Sequence, residues 1–358
     1  MKQLDFGLTK EQEMFQQTIR KLFTKSEVEK NSFSSEVWEG LAKVGILGLG
    51  IPEEKGGMGT SYDLIHLTGY EMGRALFQSP FYSTILIAGS ILGRQTEEKW
   101  KRELQEIING QKIISYIKAD NNIVAERTDN QNWVLTGCTN IVTFASEAEC
   151  FICEASNTLF YITKDQIEDI VPLELSDQTP AAQVSFNHVI ISDDARLSLV
   201  DEANGIIAEL ENVGRMFVSS YMNGAMQEAL NITFNYMKGR EQFGKPISNF
   251  QALYHWAAEL QTASEGAELL TRQVAWQLQY QKSADIDSRL ALQNAARVYH
   301  ACATASVQMA GGYGFMMEYD MQHFYRNAAT LKGIYDYLNK KDQVNILIDN
   351  RPVLQESF

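Results

Sequence analysis

The residues best equipped for chemistry stand in two short stretches of the second half of the chain. In Arg240-Glu-Gln-Phe-Gly-Lys-Pro-Ile-Ser-Asn-Phe-Gln251 a glycine, a proline, basic groups and an aromatic interrupt two long apolar-periodic segments. Arg240 can grip a pair of phosphate oxygens with its planar fork, Phe243 can stack on an adenine, and Gln242 or Gln251 can hydrogen-bond ribose or base edges. A helix hairpin with a solvated, charged turn has the same composition. In Gln308-Met-Ala-Gly-Gly-Tyr-Gly-Phe315, Gly311 and Gly312 lack side chains where a helix ends, which permits close backbone approach to a planar or phosphate-bearing ligand. Helix capping by glycine is the alternative, and it accounts for one glycine better than for three.

Two other patterns invite a chemical reading and do not sustain one. Cys150 and Cys153 form a Cys-x-x-Cys. Their segment reads as a strand, where residues three apart point to opposite faces, so a structural role is expected and no metal site. Gly56, Gly57 and Gly59 could cradle a phosphate, but they form no dinucleotide fingerprint and read as a surface turn.

The elements that must position these residues fall into three regions. Thr9-Lys-Glu-Gln12 reads as a capping box ahead of a stripe of Phe15, Ile19, Leu22 and Phe23, and helical pattern returns over Val37–Val44 and Asp63–Leu76. Near Gly110 the texture changes to short alternating segments, Lys112–Ile117, Asn132–Thr136, Ile141–Ala145, Cys150–Ala155 and Leu159–Ile162 among them, the signature of a small antiparallel β unit. From Gly205 the helical period resumes through Ile206, Leu210, Val213, Phe217, Tyr221 and Ala225, and long helices follow at roughly 250–281 and 286–310. The last 150 residues, approximately, read as an antiparallel bundle. The expected domains are 1–112, helical; 113–203, β; and 204–358, a helical bundle. At 358 residues, 45% hydrophobic and 21% charged, the chain has ordinary globular composition. A net charge of -14 repels phosphate backbones and excludes nucleic acid as a partner, so an anionic ligand needs a local basic pocket. No signal-peptide core and no membrane-length apolar run occurs, and a cytoplasmic protein is expected.

Taken together these stretches resemble the acyl-CoA dehydrogenase family over nearly the whole chain. Leu8-Thr-Lys-Glu-Gln12 looks like the family's opening helix; the run from Trp38 to Gly59 and Glu71-Met-Gly-Arg-Ala75 resemble its N-terminal helical domain. Arg240-x-Gln-Phe-Gly-x-Pro-Ile-x-x-Phe-Gln251 and Gln308-x-x-Gly-Gly-x-Gly314 match its two most specific C-terminal motifs. The resemblance implies a mainly α fold with a central β domain: a helical N-terminal domain, a small antiparallel β-barrel and a C-terminal four-helix bundle. It implies FAD held partly across a dimer interface, in a homodimer or homotetramer. By the same resemblance Arg240, Gln242 and Phe243 hold the pyrophosphate and adenine end of an FAD bound mainly by the neighbouring subunit, with Ile247 and Gln251 nearby, and Gln308, Gly311 and Gly312 serve that end too. Thr143 looks like the residue that contacts the flavin ring, and Arg215 corresponds to a position beside the bound acyl thioester, with an interface salt bridge as its alternative role.

The implied chemistry removes the α-proton of an acyl thioester with a carboxylate while the β-hydride leaves for the flavin N5. Three departures bear on it. The family's Thr-Glu-Pro…Gly-Ser-Asp loop is missing from the short Ile114–Asn122 segment. Where the family carries Glu-Gly-Thr after an Arg-Asp pair, this chain reads Arg326-Asn-Ala-Ala-Thr-Leu-Lys-Gly-Ile-Tyr-Asp336. Asp336, one residue beyond the expected base, is the candidate base, with a solvent-exposed or structural carboxylate as the alternative. In a helix that slip is a rotation of about 100°, whereas a loop could absorb it. At the base site that some members place just before the arginine, Gly214 precedes Arg215, and Glu318 is expected in a structural ion pair. The expected function is α,β-dehydrogenation of an acyl thioester carried by CoA or an acyl-carrier protein, with a separate electron acceptor. An oxidase or monooxygenase on the same fold, and a non-catalytic partner subunit of a heteromeric dehydrogenase, are the rivals.

Overall fold

The computed structural model describes residues 7–25, 29–118, 122–130, 132–200, 202–280 and 282–342, without the side chains of residues 25 and 335–342. The chain opens as its capping box dictates. Thr9 N–H donates to Gln12 Oε1 at 2.9 Å and Gln12 N–H returns a bond to Thr9 Oγ1 at 3.2 Å, and helix α1 (Lys10–Lys25) runs from there. Helices α2 (Ser35–Lys43) and α3 (Tyr62–Ala75) begin on serine caps, Ser34 and Ser61. The Gly56–Gly59 stretch is a tight turn. An added Cβ at Gly57 would stand 2.1 Å from the Ile51 carbonyl oxygen, so the chain itself, not a phosphate, requires that glycine. A π-helical segment, Phe81–Gly89, continues into α4 (Ser90–Gly93), and α5 (Glu98–Ile108) closes the first region.

The β region comprises β1 (Ile114–Ile117), β2 (Ile123–Arg127), β3 (Trp133–Cys138), β4 (Val142–Thr143), β5 (Cys150–Ala155), β6 (Thr158–Thr163), β7 (Asp169–Leu173) and β8 (Ala181–Ile191). They form a three-stranded sheet in the order β1-β5-β6 and a five-stranded one in the order β2-β3-β8-β4, with β7 also paired to β8. The pairing is antiparallel as expected except between β1 and β5, which run parallel. Cys150 packs into the core shared with the helices and Cys153 into the core of the β region, opposite faces of β5 as the strand reading requires.

The third region is a bundle of α6 (Ala203–Gly239), α7 (Gln251–Gln279), α8 (Asp285–Met309) and α9 (Met321–Asp342), with the hairpin β9 (Glu241–Gln242) and β10 (Lys245–Pro246) between α6 and α7. The architecture is mainly helical with a central β unit. Its first core is not confined to the first region: Ile207, Leu210, Val213, Met216 and Phe217 of α6 pack with Trp38, Phe77 and Phe81. The Glu71–Ala75 motif explains why. An added Cβ at Gly73 would lie 1.8 Å from the Tyr221 carbonyl oxygen, and one at Gly224 would lie 1.8 Å from that of Tyr70, so α3 and α6 touch backbone to backbone through reciprocal glycines. Glu71 is buried beside this crossing and accepts from Arg20 Nε and Nη2 at 2.9 and 2.7 Å. The motif is thus a packing device. Among the described residues no helix is long and apolar enough to cross a membrane.

Candidate functional site

A cavity of about 700 Å³ lies where the three regions meet. The first region contributes Gln78 and Tyr82; the β region contributes Tyr116, Lys118, Thr143 and the Glu174–Thr179 loop; the bundle contributes one face each of α6 and α9. On α6 that face is Glu211, Gly214, Arg215, Val218 and Tyr221, the three-to-four-residue spacing of a single helical stripe. Thr143 is held by its backbone, whose carbonyl accepts from Ser115 Oγ at 2.9 Å, and β1 is in turn fixed to the π-helical segment by Thr84 Oγ1 donating to the Ile114 carbonyl at 2.9 Å.

Arg215 stands on that α6 stripe. It lines the cavity and is ion-paired: Nη2 donates to Glu211 Oε2 at 2.6 Å, and Nη1 to Asn212 Oδ1 at 2.9 Å and Asp285 Oδ1 at 3.4 Å. Glu211 also accepts from Lys118 Nζ at 2.5 Å, so both of its oxygens are taken by cations. Sequence reading passed over Glu211 and Lys118 as cavity residues. A helical stripe counted back one turn from Arg215 finds the first, while Lys118 follows a strand whose face no local pattern fixes.

The segment after Arg326 is helix, not loop, so the one-residue slip at Asp336 cannot be absorbed by loop geometry. Ala329 and Gly333 of α9 line the cavity, and Asp336 occupies the next position, three residues on, along that stripe. Its side chain lies outside the described residues. Behind this wall sits an acid that sequence reading missed. Asp177 is 1% exposed and accepts from Asn327 Nδ2 at 2.9 Å, Thr179 N–H at 3.1 Å and Gln78 Nε2 at 3.5 Å. Burial pushes its carboxyl up, against these neutral donors. It ties the β region to α9 and to the end of α3. Glu318, expected in an ion pair, is exposed and has no such partner among the described residues; Lys30 pairs with Asp320 instead, at 2.8 Å. The turn simply points Glu318 to solvent.

The second set of expected residues gathers elsewhere, at the far end of α6. Phe243 and Gly244 form the two-residue tip of the β9–β10 hairpin with φ of 51° and 79°. A left-handed backbone is unusual for a bulky aromatic, and Phe243 is nevertheless 93% exposed. Among the described residues the Arg240 guanidinium has no hydrogen-bond or ion-pair partner, Gln242 donates only to the adjacent Glu241 carbonyl, and Gln251 contacts His255. Ile247 is buried beneath the hairpin, its N–H on the Arg240 carbonyl at 2.8 Å. The glycine turn Gly311–Phe315 packs against the same end of α6 through Tyr313, stacked on Tyr236 at 5.6 Å. Its glycines have separate causes. Gly311 has φ of 61°, and an added Cβ at Gly314 would meet the Val307 carbonyl oxygen at 2.2 Å. Gly312 is neither left-handed nor crowded, and it faces open space beside the exposed Gln308. The hairpin tip, the arginine without a described partner and the bare glycine make an exposed surface with donors and an aromatic ring, Phe243, whose ring contact among the described residues is edge-to-face with Phe250 at 6.2 Å.

The chain has counterparts among known proteins in sequence and in fold. Family models described as the N-terminal and C-terminal domains of acyl-CoA dehydrogenase match residues 9–111 and 205–335. A subunit of the caffeyl-CoA reductase–Etf complex of Acetobacterium woodii is 25% identical over 89% of this chain and 90% of its own length. The short-chain specific acyl-CoA dehydrogenase of Clostridium acetobutylicum is 25% identical over 91% of this chain and 94% of its own. Among solved structures, butyryl-CoA dehydrogenase from Megasphaera elsdenii shares the fold with a TM-score of 0.83 at 21% identity, over 95% of this chain and 99% of that one. With both ends of the chain matched by its models and the helix–β–helix architecture in common, this protein belongs to the acyl-CoA dehydrogenase family.

Proposed function

We propose that the chain is an FAD-dependent oxidoreductase that desaturates an acyl thioester between Cα and Cβ, working in the cytoplasm as a homo-oligomer of chains divided near residues 112 and 203. The observation that carries this reading is the cavity at the junction of the three regions, with Thr143, Arg215 and the α9 stripe on its walls. The residues suit FAD: the cavity takes a planar ring and an acyl chain, and the Arg240 and Gly312 surface offers an anion partner, a stacking ring and open space. When bound, FAD supplies the hydride acceptor.

The chain's own residues divide the rest. Asp336 takes the α-proton, Thr143 holds the ring, and the Arg215–Glu211–Lys118 network keeps that cavity wall rigid beside the acyl group. Arg240, Gln242, Phe243, Ile247, Gln251, Gln308, Gly311 and Gly312 serve the adenine and pyrophosphate end of a second FAD, in the neighbouring subunit. Distance supports this division. The 25 helical steps of α6 and its cap from Arg215 to Arg240 span about 37 Å at 1.5 Å per step, farther than one extended FAD reaches. One chain therefore contributes to two sites. Relatives named as a reductase–Etf complex subunit and as an acryloyl-CoA reductase make an electron-transferring flavoprotein or a nicotinamide the natural electron partner. The thioester is carried by CoA or an acyl-carrier protein.

The test is direct. The purified chain should be yellow, dimeric or larger, and bleached anaerobically by an acyl thioester; a colourless monomer that takes up no FAD overturns the reading. Arg240→Ala should lower FAD content several-fold while leaving the denaturation midpoint nearly unchanged, because an exposed, unpaired arginine adds little to the fold and a charge-assisted phosphate contact is lost. FAD content by absorbance and stability by circular dichroism separate the two.

A further inference from the structure

One group in the cavity that the proposed chemistry leaves without a role is a tyrosine, Tyr82. On α6 the residue before Arg215 is Gly214, and the absence of its side chain is filled: an added Cβ there would lie 2.2 Å from Tyr82 Cε2 and 3.0 Å from Cζ. The hydroxyl-bearing edge of the ring thus occupies the space into which a residue at 214 would project. Tyr82 comes from the π-helical segment, the kind of local distortion that recurs where a side chain must be re-aimed. It is surrounded by protein yet retains accessible surface, and it lines the cavity.

Its hydroxyl has no hydrogen-bond partner among the described residues. Two neighbouring polar groups are already engaged. Glu211 is held by Lys118 and Arg215, and Tyr116 donates to Glu154 Oε2 at 2.9 Å. Close by, Phe217 and Val218 add apolar surface to the α6 face that also carries the Glu211–Arg215 pair. When a substrate displaces water there, a phenol left without an acceptor weakens binding by about 10–100-fold. An occupant that presents an oxygen at that point avoids the loss.

We propose that Tyr82 is a specificity residue whose hydroxyl donates to an oxygen on the acyl group, so that the preferred substrates are short acyl thioesters with a hydroxyl, keto or carboxylate oxygen beyond Cβ rather than plain hydrocarbon chains. The inference rests on the acyl-thioester reading of the same cavity. It also accounts for Gly214: any side chain there would displace the phenol.

The test compares a butyryl thioester with its 4-hydroxybutyryl and succinyl counterparts, in wild type and Tyr82→Phe. Steady-state turnover with an added one-electron dye as acceptor gives KM and kcat, anaerobic flavin bleaching isolates the reductive step, and calorimetry gives Kd. Wild type should favour an oxygen-bearing chain in KM and Kd by about 10–100-fold, the range expected for one buried hydrogen bond. Tyr82→Phe should bring that ratio to within about threefold, with FAD content reporting that the variant is folded. The hydroxyl and carboxylate arms distinguish a neutral from an anionic acceptor. A wild-type preference for butyryl, or a preference that survives Tyr82→Phe, overturns the inference. An equal loss on all three substrates also overturns it, since the phenol would then serve the cofactor. Discrimination in Kd without any bleaching leaves the inference standing and sinks the dehydrogenase reading instead, and no binding of any thioester sinks both.

Discussion

Asp336→Asn should slow reduction of the flavin by a good acyl thioester by about two orders of magnitude or more, the share that general-base catalysis supplies. The substitution keeps size and removes the proton acceptor. Asp336 lies on the α9 stripe whose earlier members, Ala329 and Gly333, form part of the cavity wall, and the two carboxylates that line the cavity elsewhere among the described residues are poor substitutes. Glu211 has both oxygens on cations, and Glu174 is exposed on its loop. Asp336→Glu should retain activity, because its arm is longer by one methylene, roughly 1.5 Å. Anaerobic stopped-flow bleaching reads the step. Unchanged bleaching in the Asn variant clears Asp336 of the role, and a wild type that no thioester bleaches favours a partner-subunit role for the chain.

The second large effect concerns stability. Gly73→Ala should destabilise the protein by about 3 kcal/mol, the upper part of the usual range for overpacking, because the contact it would break is with backbone rather than a movable side chain. The 1.8 Å approach to the Tyr221 carbonyl oxygen leaves no rotamer to adjust, so α3 and α6 must separate and open the core they share with Trp38 and Phe81. Gly266→Ala is the matched control. It is exposed on α7 with nothing within 4 Å of an added Cβ, and it should stabilise by about 0.5–1 kcal/mol through helix propensity. Urea denaturation followed by circular dichroism measures both; equal midpoints for the two variants would contradict the account of the crossing.

What the sequence made legible was local. The Thr9–Gln12 capping box, the Gly205–Ala225 periodicity and the strand pattern around Cys150 each act within a few residues, and each became the element expected. The fold class followed from them. The cavity was legible only in pieces, because its parts are joined across more than 100 residues of chain. Nothing near Tyr82 announces that its ring fills the space at Gly214, and nothing near Asp177 marks it as the acceptor for Asn327 and Gln78. The parallel β1–β5 pair escaped for the same reason: alternation fixes a strand's faces but not the direction of its neighbour.

Helix α6 carries Glu211 and Arg215 in its first half and delivers Arg240 at its far cap, without a proline along the way. If the hairpin completes the neighbour's site, then no site is the property of one polypeptide. A chain damaged in its cavity and a chain damaged at its hairpin, paired together, would concentrate both defects in one site and leave the other whole. Defective copies of the same gene could in this way complement each other, and the inheritance of a fault would depend on which end of a single helix it struck.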